Sequence, residues 1–122
     1  MVTFVWLLLG HLVGDWLLQN DWMAKGKRQG LFTRAGSMHF AIYTAVVGGM
    51  LWFSGVRDLG PALFLVLVAM VFVSHWLIDA TDVVQWWMRF QRQSDLEVVR
   101  LMVDQTLHLL VLALVSVLVL RV

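Results

Sequence analysis

Four apolar stretches, each about as long as a bilayer is thick, fill most of this chain. They run over about residues 2–19, 37–53, 61–84 and 98–120 of its 122 residues. A hydrocarbon core of about 30 Å takes about 20 helical residues. Inside it every backbone polar group has to be satisfied within the segment, which leaves the α-helix as the form for such runs. The expected fold is therefore all-α: an integral membrane bundle of four transmembrane helices. The whole of residues 1–122 forms one domain, because the intervening loops are too short for a second.

Composition agrees. The chain is 61% hydrophobic and 14% charged, against about 45–50% and about 25% in soluble domains. Its mean hydropathy is +0.81. The net charge of +1 offers no footprint for nucleic acid. The absence of cysteine excludes disulfides and thiolate metal sites. The first apolar run lacks a basic leader and a small-residue cleavage site, and it holds His11 and Asp15, so it reads as a span rather than a signal peptide. Trp22, Trp52, Trp86 and Trp87 fall where spans should leave the membrane, the usual place for an aromatic belt.

Lys and Arg set the expected orientation. Lys25, Lys27, Arg28 and Arg34 lie in the first connection, and Arg89, Arg92 and Arg100 in and after the third; the second has only Arg57. The positive-inside rule then makes connections one and three cytoplasmic and puts both termini outside. The expected location is the cell inner membrane, as a multi-pass protein with the lipid bilayer as its partner. The Lys25–Arg28 run reads as an orientation signal on anionic lipid, or else as a holder for a substrate phosphate at the mouth of a site.

Each apolar run carries one histidine: His11, His39, His75 and His108. Three of them have an aspartate four residues away, in the pairs His11/Asp15, His75/Asp79 and Asp104/His108, and His39 has Tyr43 at that spacing. Residues at i, i+4 and i+7 share a helix face. Asp82 therefore extends the third stripe, and Gln19 the first. With the charge-derived topology, all four polar sets fall in the cytoplasmic half. An Asp at a span centre costs roughly 2.5–3.5 kcal/mol on insertion scales, so several at one depth call for partners.

The candidate metal ligands are His11, Asp15, His39, His75, Asp79, Asp104 and His108, since imidazole and carboxylate are the usual ligands of divalent ions. Zinc, manganese and iron all fit, and one or two ions are possible by ligand number. The first reading is an intramembrane metal-dependent hydrolase, acting on a lipid or phosphoester, with Asp15 or Asp79 as general base. The second is an ion or proton transporter or channel subunit, which with so few spans calls for a homo-oligomer. The third is a metal-free polar network gluing helices together. Gly10-x-x-x-Gly14 reads as a helix-packing motif within the monomer or at a dimer contact, as does the ladder of Ala41, Ala45 and Gly49.

The stretch Gly10-His11-Leu12-Val13-Gly14-Asp15-Trp16-Leu17-Leu18-Gln19, followed by Asp21-Trp22-Met23-Ala24-Lys25, resembles the opening of a bacterial and phage family of small membrane proteins, domain of unknown function 3307. His39 with Tyr43-Thr44, His75-x-x-x-Asp79 and Asp104-Gln105-x-x-His108 are similar to its later motifs. The resemblance covers nearly the whole chain and implies a small integral membrane protein. It carries no activity with it. The pattern of membrane His and Asp is loosely similar to that of membrane-bound metal-dependent hydrolases, an analogy that does not fix function.

Overall fold

A computed structural model describes residues 2–122. Six α-helices make up the described chain, with no strand among its residues: α1 (Val2–Leu12), α2 (Asp21–Gly26), α3 (Arg34–Phe53), α4 (Pro61–Ala80), α5 (Val83–Phe90) and α6 (Glu97–Leu120). Three of them, α3, α4 and α6, are long and apolar enough to cross a membrane. The first apolar run is shorter than expected. It is helical over Val2–Leu17, its last part a π-helical segment, Val13–Leu17, closed by Leu18 N–H donating to the Val13 carbonyl at 2.9 Å.

The four longer rods form a ring in which α1, α3, α4 and α6 each pack on two neighbours. Every adjacent pair is antiparallel. Trp6 meets Phe53 while Gly14 meets Tyr43, and Trp52 meets Phe64 while His39 meets His75. On the remaining two sides, His11 and His75 both meet His108. The small residues of the first run explain the closest approach. A Cβ at Gly10 would lie 3.2 Å from Val47 Cα, and one at Gly14 3.2 Å from Tyr43 Cα. The Gly10/Gly14 motif is thus a packing surface within the monomer. Ala41 and Ala45 instead face outward.

Side chains divide the ring into two halves along its axis. At the end nearest both termini, Leu7, Val47, Leu51, Leu67, Val71, Leu112 and Val115 interlock, all at most 2% exposed. Toward the other end the interior is polar. Along the long helices the outer surface is largely apolar: Val5, Leu9, Leu65, Val66, Phe72, Leu110 and Leu114 are exposed. Burying polar groups while exposing apolar ones suits a lipid solvent.

The third run also ends earlier than expected. Gly60, at φ +116°, and Pro61 start α4. Thr81 adopts an extended conformation after Ala80, so α4 stops there and the chain bends into α5. Asp82 is thereby thrown off the His75/Asp79 stripe and is exposed. In α5, Val84 and Met88 pack inward with Ile78, while the Trp86 and Phe90 rings stack outside at 5.6 Å. Trp22, Trp52, Trp86 and Trp87 are all exposed.

Candidate metal centre

The polar half brings together every histidine and three of the aspartates that the sequence singled out. His11, Asp15, His39, His75, Asp79, Asp104 and His108 are each at most 5% exposed. The antiparallel ring does this: polar sets late in α1 and α4 and early in α3 and α6 arrive at one level.

Asp15, His39, His75 and Asp79 offer four ligand atoms all within 4.8 Å of one another. His39 Nε2 lies 2.9 Å from His75 Nε2, 3.3 Å from Asp15 Oδ1 and 3.2 Å from Asp79 Oδ2; His75 Nε2 is also 3.2 Å from that oxygen. Metal–ligand bonds of about 2.0–2.2 Å put neighbouring ligands of a tetrahedral ion about 3.3–3.6 Å apart, slightly wider than this spacing. Asp15, Asp104 and His108 form a second such group, sharing Asp15 with the first.

His108 gives the most informative geometry. Its Nδ1 donates to the Asp104 backbone carbonyl at 2.9 Å, which leaves Nε2 as the ring nitrogen turned toward the cluster. Nε2 faces Asp79 Oδ1 at 3.6 Å, and neither atom has a hydrogen-bond partner among the described residues. A buried carboxylate oxygen facing an imidazole nitrogen at this distance is satisfied by a proton on the nitrogen or by a cation between the two. Asp79 thus presents one oxygen to His39 and His75 and the other to His108.

His11 stands outside both groups. Its Nε2 is 2.8 Å from Gln105 Oε1, an acceptor, so that nitrogen carries the proton and Nδ1 accepts from the Tyr43 hydroxyl at 3.1 Å. Gln105 Oε1 also accepts from Trp16 Nε1 at 2.9 Å, while its Nε2 donates to Asp15 at 2.9 Å and to Asp104 at 3.1 Å. Each group has its role fixed by the next, giving one chain from Tyr43 through His11 and Gln105 to two carboxylates. The Tyr43 ring lies flat on His75, with centroids 3.5 Å apart.

Lys27 is the residue that sequence reasoning placed elsewhere. It lies in the basic run of the first connection, yet it is 3% exposed, and its Nζ donates to Asp79 Oδ2 at 2.6 Å and Asp15 Oδ1 at 3.3 Å. The local fold turns it inward. Asn20 caps α2 by accepting from Met23 N–H, and Thr33 caps α3 while its hydroxyl donates to the Gly26 carbonyl at 2.6 Å. A Cβ on Gly26 would sit 2.3 Å from Ala35 Cβ, so only glycine lets α2 close onto α3 and aim the next residue into the ring. Burial by itself would lower the Lys27 pKa, but Asp79 and Asp15 outweigh it and hold the ammonium above its ordinary value. Lys25 and Arg28, its neighbours, are exposed.

Three buried carboxylates against one buried ammonium leave two negative charges when the histidines are neutral. With all three carboxylates ionised, a divalent cation would balance that set. The His/Asp groups present could hold a metal ion, with donors suited to zinc, manganese or iron.

A family model, protein of unknown function (DUF3307), matches residues 3–122. The chain belongs to this family. The match takes in both ends of the cluster, from His11 to His108, so the candidate site is built wholly within the matched region. No curated protein and no solved structure matches the chain.

Proposed function

We propose that this protein spans the cell inner membrane four times, with Val2–Leu17 as the short fourth wall and both termini outside. Its buried His/Asp cluster is the centre of a divalent-metal-dependent hydrolase that acts on a lipid or phosphoester at the cytoplasmic side. The basic residues of the first and third connections lie at the same end as the cluster, where Arg28 reaches Glu97 at 3.7 Å, and the positive-inside rule makes that end cytoplasmic. The observation that carries the metal reading is the pair of unpartnered buried atoms, His108 Nε2 and Asp79 Oδ1, facing each other beside the Asp15/His39/His75/Asp79 group.

A divalent ion there supplies Lewis-acid chemistry and acidifies water to a pKa of about 7. The chain's own groups divide the rest of the work. His39, His75, His108, Asp15 and Asp79 hold charge in place, and His11 and Gln105 orient Asp15 and Asp104. Asp15 and Asp79 accept from Lys27, which fits them better as ligands than as proton acceptors. Asp104 borders both openings to the cluster, and its hydrogen-bond donor among the described side chains is Gln105, so it takes the general-base role.

Elemental analysis of detergent-purified protein tests this reading. Stoichiometric divalent metal is expected, with His75→Ala losing it and chelation abolishing hydrolysis of phosphoester substrates. Folded protein free of metal and indifferent to chelation overturns it. One observation favours a second reading, a metal-free network joining helices: the Lys27 ammonium already bridges Asp15 and Asp79. On that reading His75→Ala lowers stability and changes no metal content.

A further inference from the structure

Among the described residues, two openings that reach the cluster from the loop end differ in size. One, bordered by Asp79, Thr81, Asp82 and Arg100, has a volume of about 40 Å³, room for water but not for a substrate. The other is a cleft of about 530 Å³ between the end of the first helix, α2 and α6. Its floor is Asp15, Asp104 and Gln105, and its rim carries Lys25 and Arg28. Its outer wall is apolar: Trp16 and Leu101 line it and are exposed, on helices whose outer faces are apolar as well. Gln19 adds a buried Oε1 with no hydrogen-bond partner among the described residues.

We propose that this cleft binds the net-anionic, phosphate-bearing headgroup of a membrane lipid, which enters sideways between Trp16 and Leu101 and places its phosphate on Arg28 and Lys25. Arg28 is free to take it. Its partner, Glu97, is 3.7 Å away and 76% exposed, a loose pair that a phosphate replaces with charge-assisted bonds. Gln19 Oε1 suits a hydroxyl donor on the headgroup. The cationic and anionic side chains lining the cleft balance, so a divalent ion on the floor is what turns it attractive to an anion. In this the proposal rests on the metal reading above. Free phosphate shares the charge but not the apolar wall, which favours the lipid.

Calorimetric titration of detergent-purified, metal-loaded full-length protein with a short-chain phosphatidic acid tests the proposal. Inorganic phosphate and a phosphatidylcholine of equal chain length serve as controls, and metal content is measured on the same sample. Phosphatidic acid should bind at least about tenfold more tightly than either control. Arg28→Gln should weaken it about tenfold, and Glu97→Gln, which removes the competing carboxylate, should strengthen it. Arg57→Gln, at the opposite end, should change nothing, and metal content should stay constant throughout. Unchanged affinity in Arg28→Gln overturns the proposal, as does equal binding of inorganic phosphate or of phosphatidylcholine. Metal-loaded protein that binds no phosphatidic acid defeats this inference alone, whereas metal-free protein defeats the metal reading with it.

Discussion

The two halves of this bundle use the same four helices and differ in what those helices bury. In the half near the termini, Leu7, Val47, Leu51, Leu67 and Leu112 fill the interior with side chains that cost nothing to desolvate. In the other half the interior is Asp15, Lys27, His39, His75, Asp79, Asp104 and His108. In lipid the apolar half gains little from burial, since acyl chains are as apolar as leucine, and it holds by close packing. The polar half has no such neutral alternative: a separated helix would carry its charges into hydrocarbon. Substitutions in the two halves should therefore fail in different ways.

The largest effect is expected at Lys27. Lys27→Met leaves Asp15 and Asp79 without their cation, and breaking a buried pair this way costs about 3–5 kcal/mol. Thermal unfolding in detergent reads it, and bound divalent metal should reduce the loss by supplying the missing charge. Loss that metal leaves untouched would favour the metal-free network. Leu51→Ala, in the apolar half, should cost about 2–3 kcal/mol through the cavity it opens, with metal content unchanged. A fall in metal content there would show that the halves are coupled rather than separate.

Gln105→Met comes next. It cuts His11 from Asp15 and Asp104 without removing a ligand, so stability should fall by about 1 kcal/mol. Metal affinity should drop about 10–100-fold, the usual effect of losing a group that orients ligands, as read by competition with a chelating dye. Asp82→Asn should be the mildest. Asp82 is exposed beyond the end of α4, and neither stability, within about 0.5 kcal/mol, nor metal content should move. Strong metal loss in this variant would mean that the bend after Ala80 straightens and returns Asp82 to the stripe.

Much of the polar half is readable from spacing. The pairs His11/Asp15, His75/Asp79 and Asp104/His108 announce three polar stripes, and basic loops put all of them at one depth. The readable part stops where a residue's direction depends on another element. Lys27 looks like any loop lysine in a basic run, and only the contact of Gly26 with Ala35 turns it inward. Tyr43 was visible as a spacing partner of His39, yet its hydroxyl serves His11 on another helix. Gln105 sits next to Asp104 in sequence, on the neighbouring face of the helix, and becomes a hub only because α1 lies alongside α6.

The sequence by itself determined the all-α class, the long apolar helices able to cross a membrane and the level at which the histidines and aspartates collect, because hydropathy, i,i+4 spacing and loop charge are local properties of a chain. The tertiary structure decided which of those groups share ligand distance, that His11 is held by Tyr43 and Gln105 while His108 turns an unpartnered nitrogen to Asp79, and that Lys27 joins the cluster. Those outcomes depend on distances between side chains of different helices, and the ring's close packing sets them.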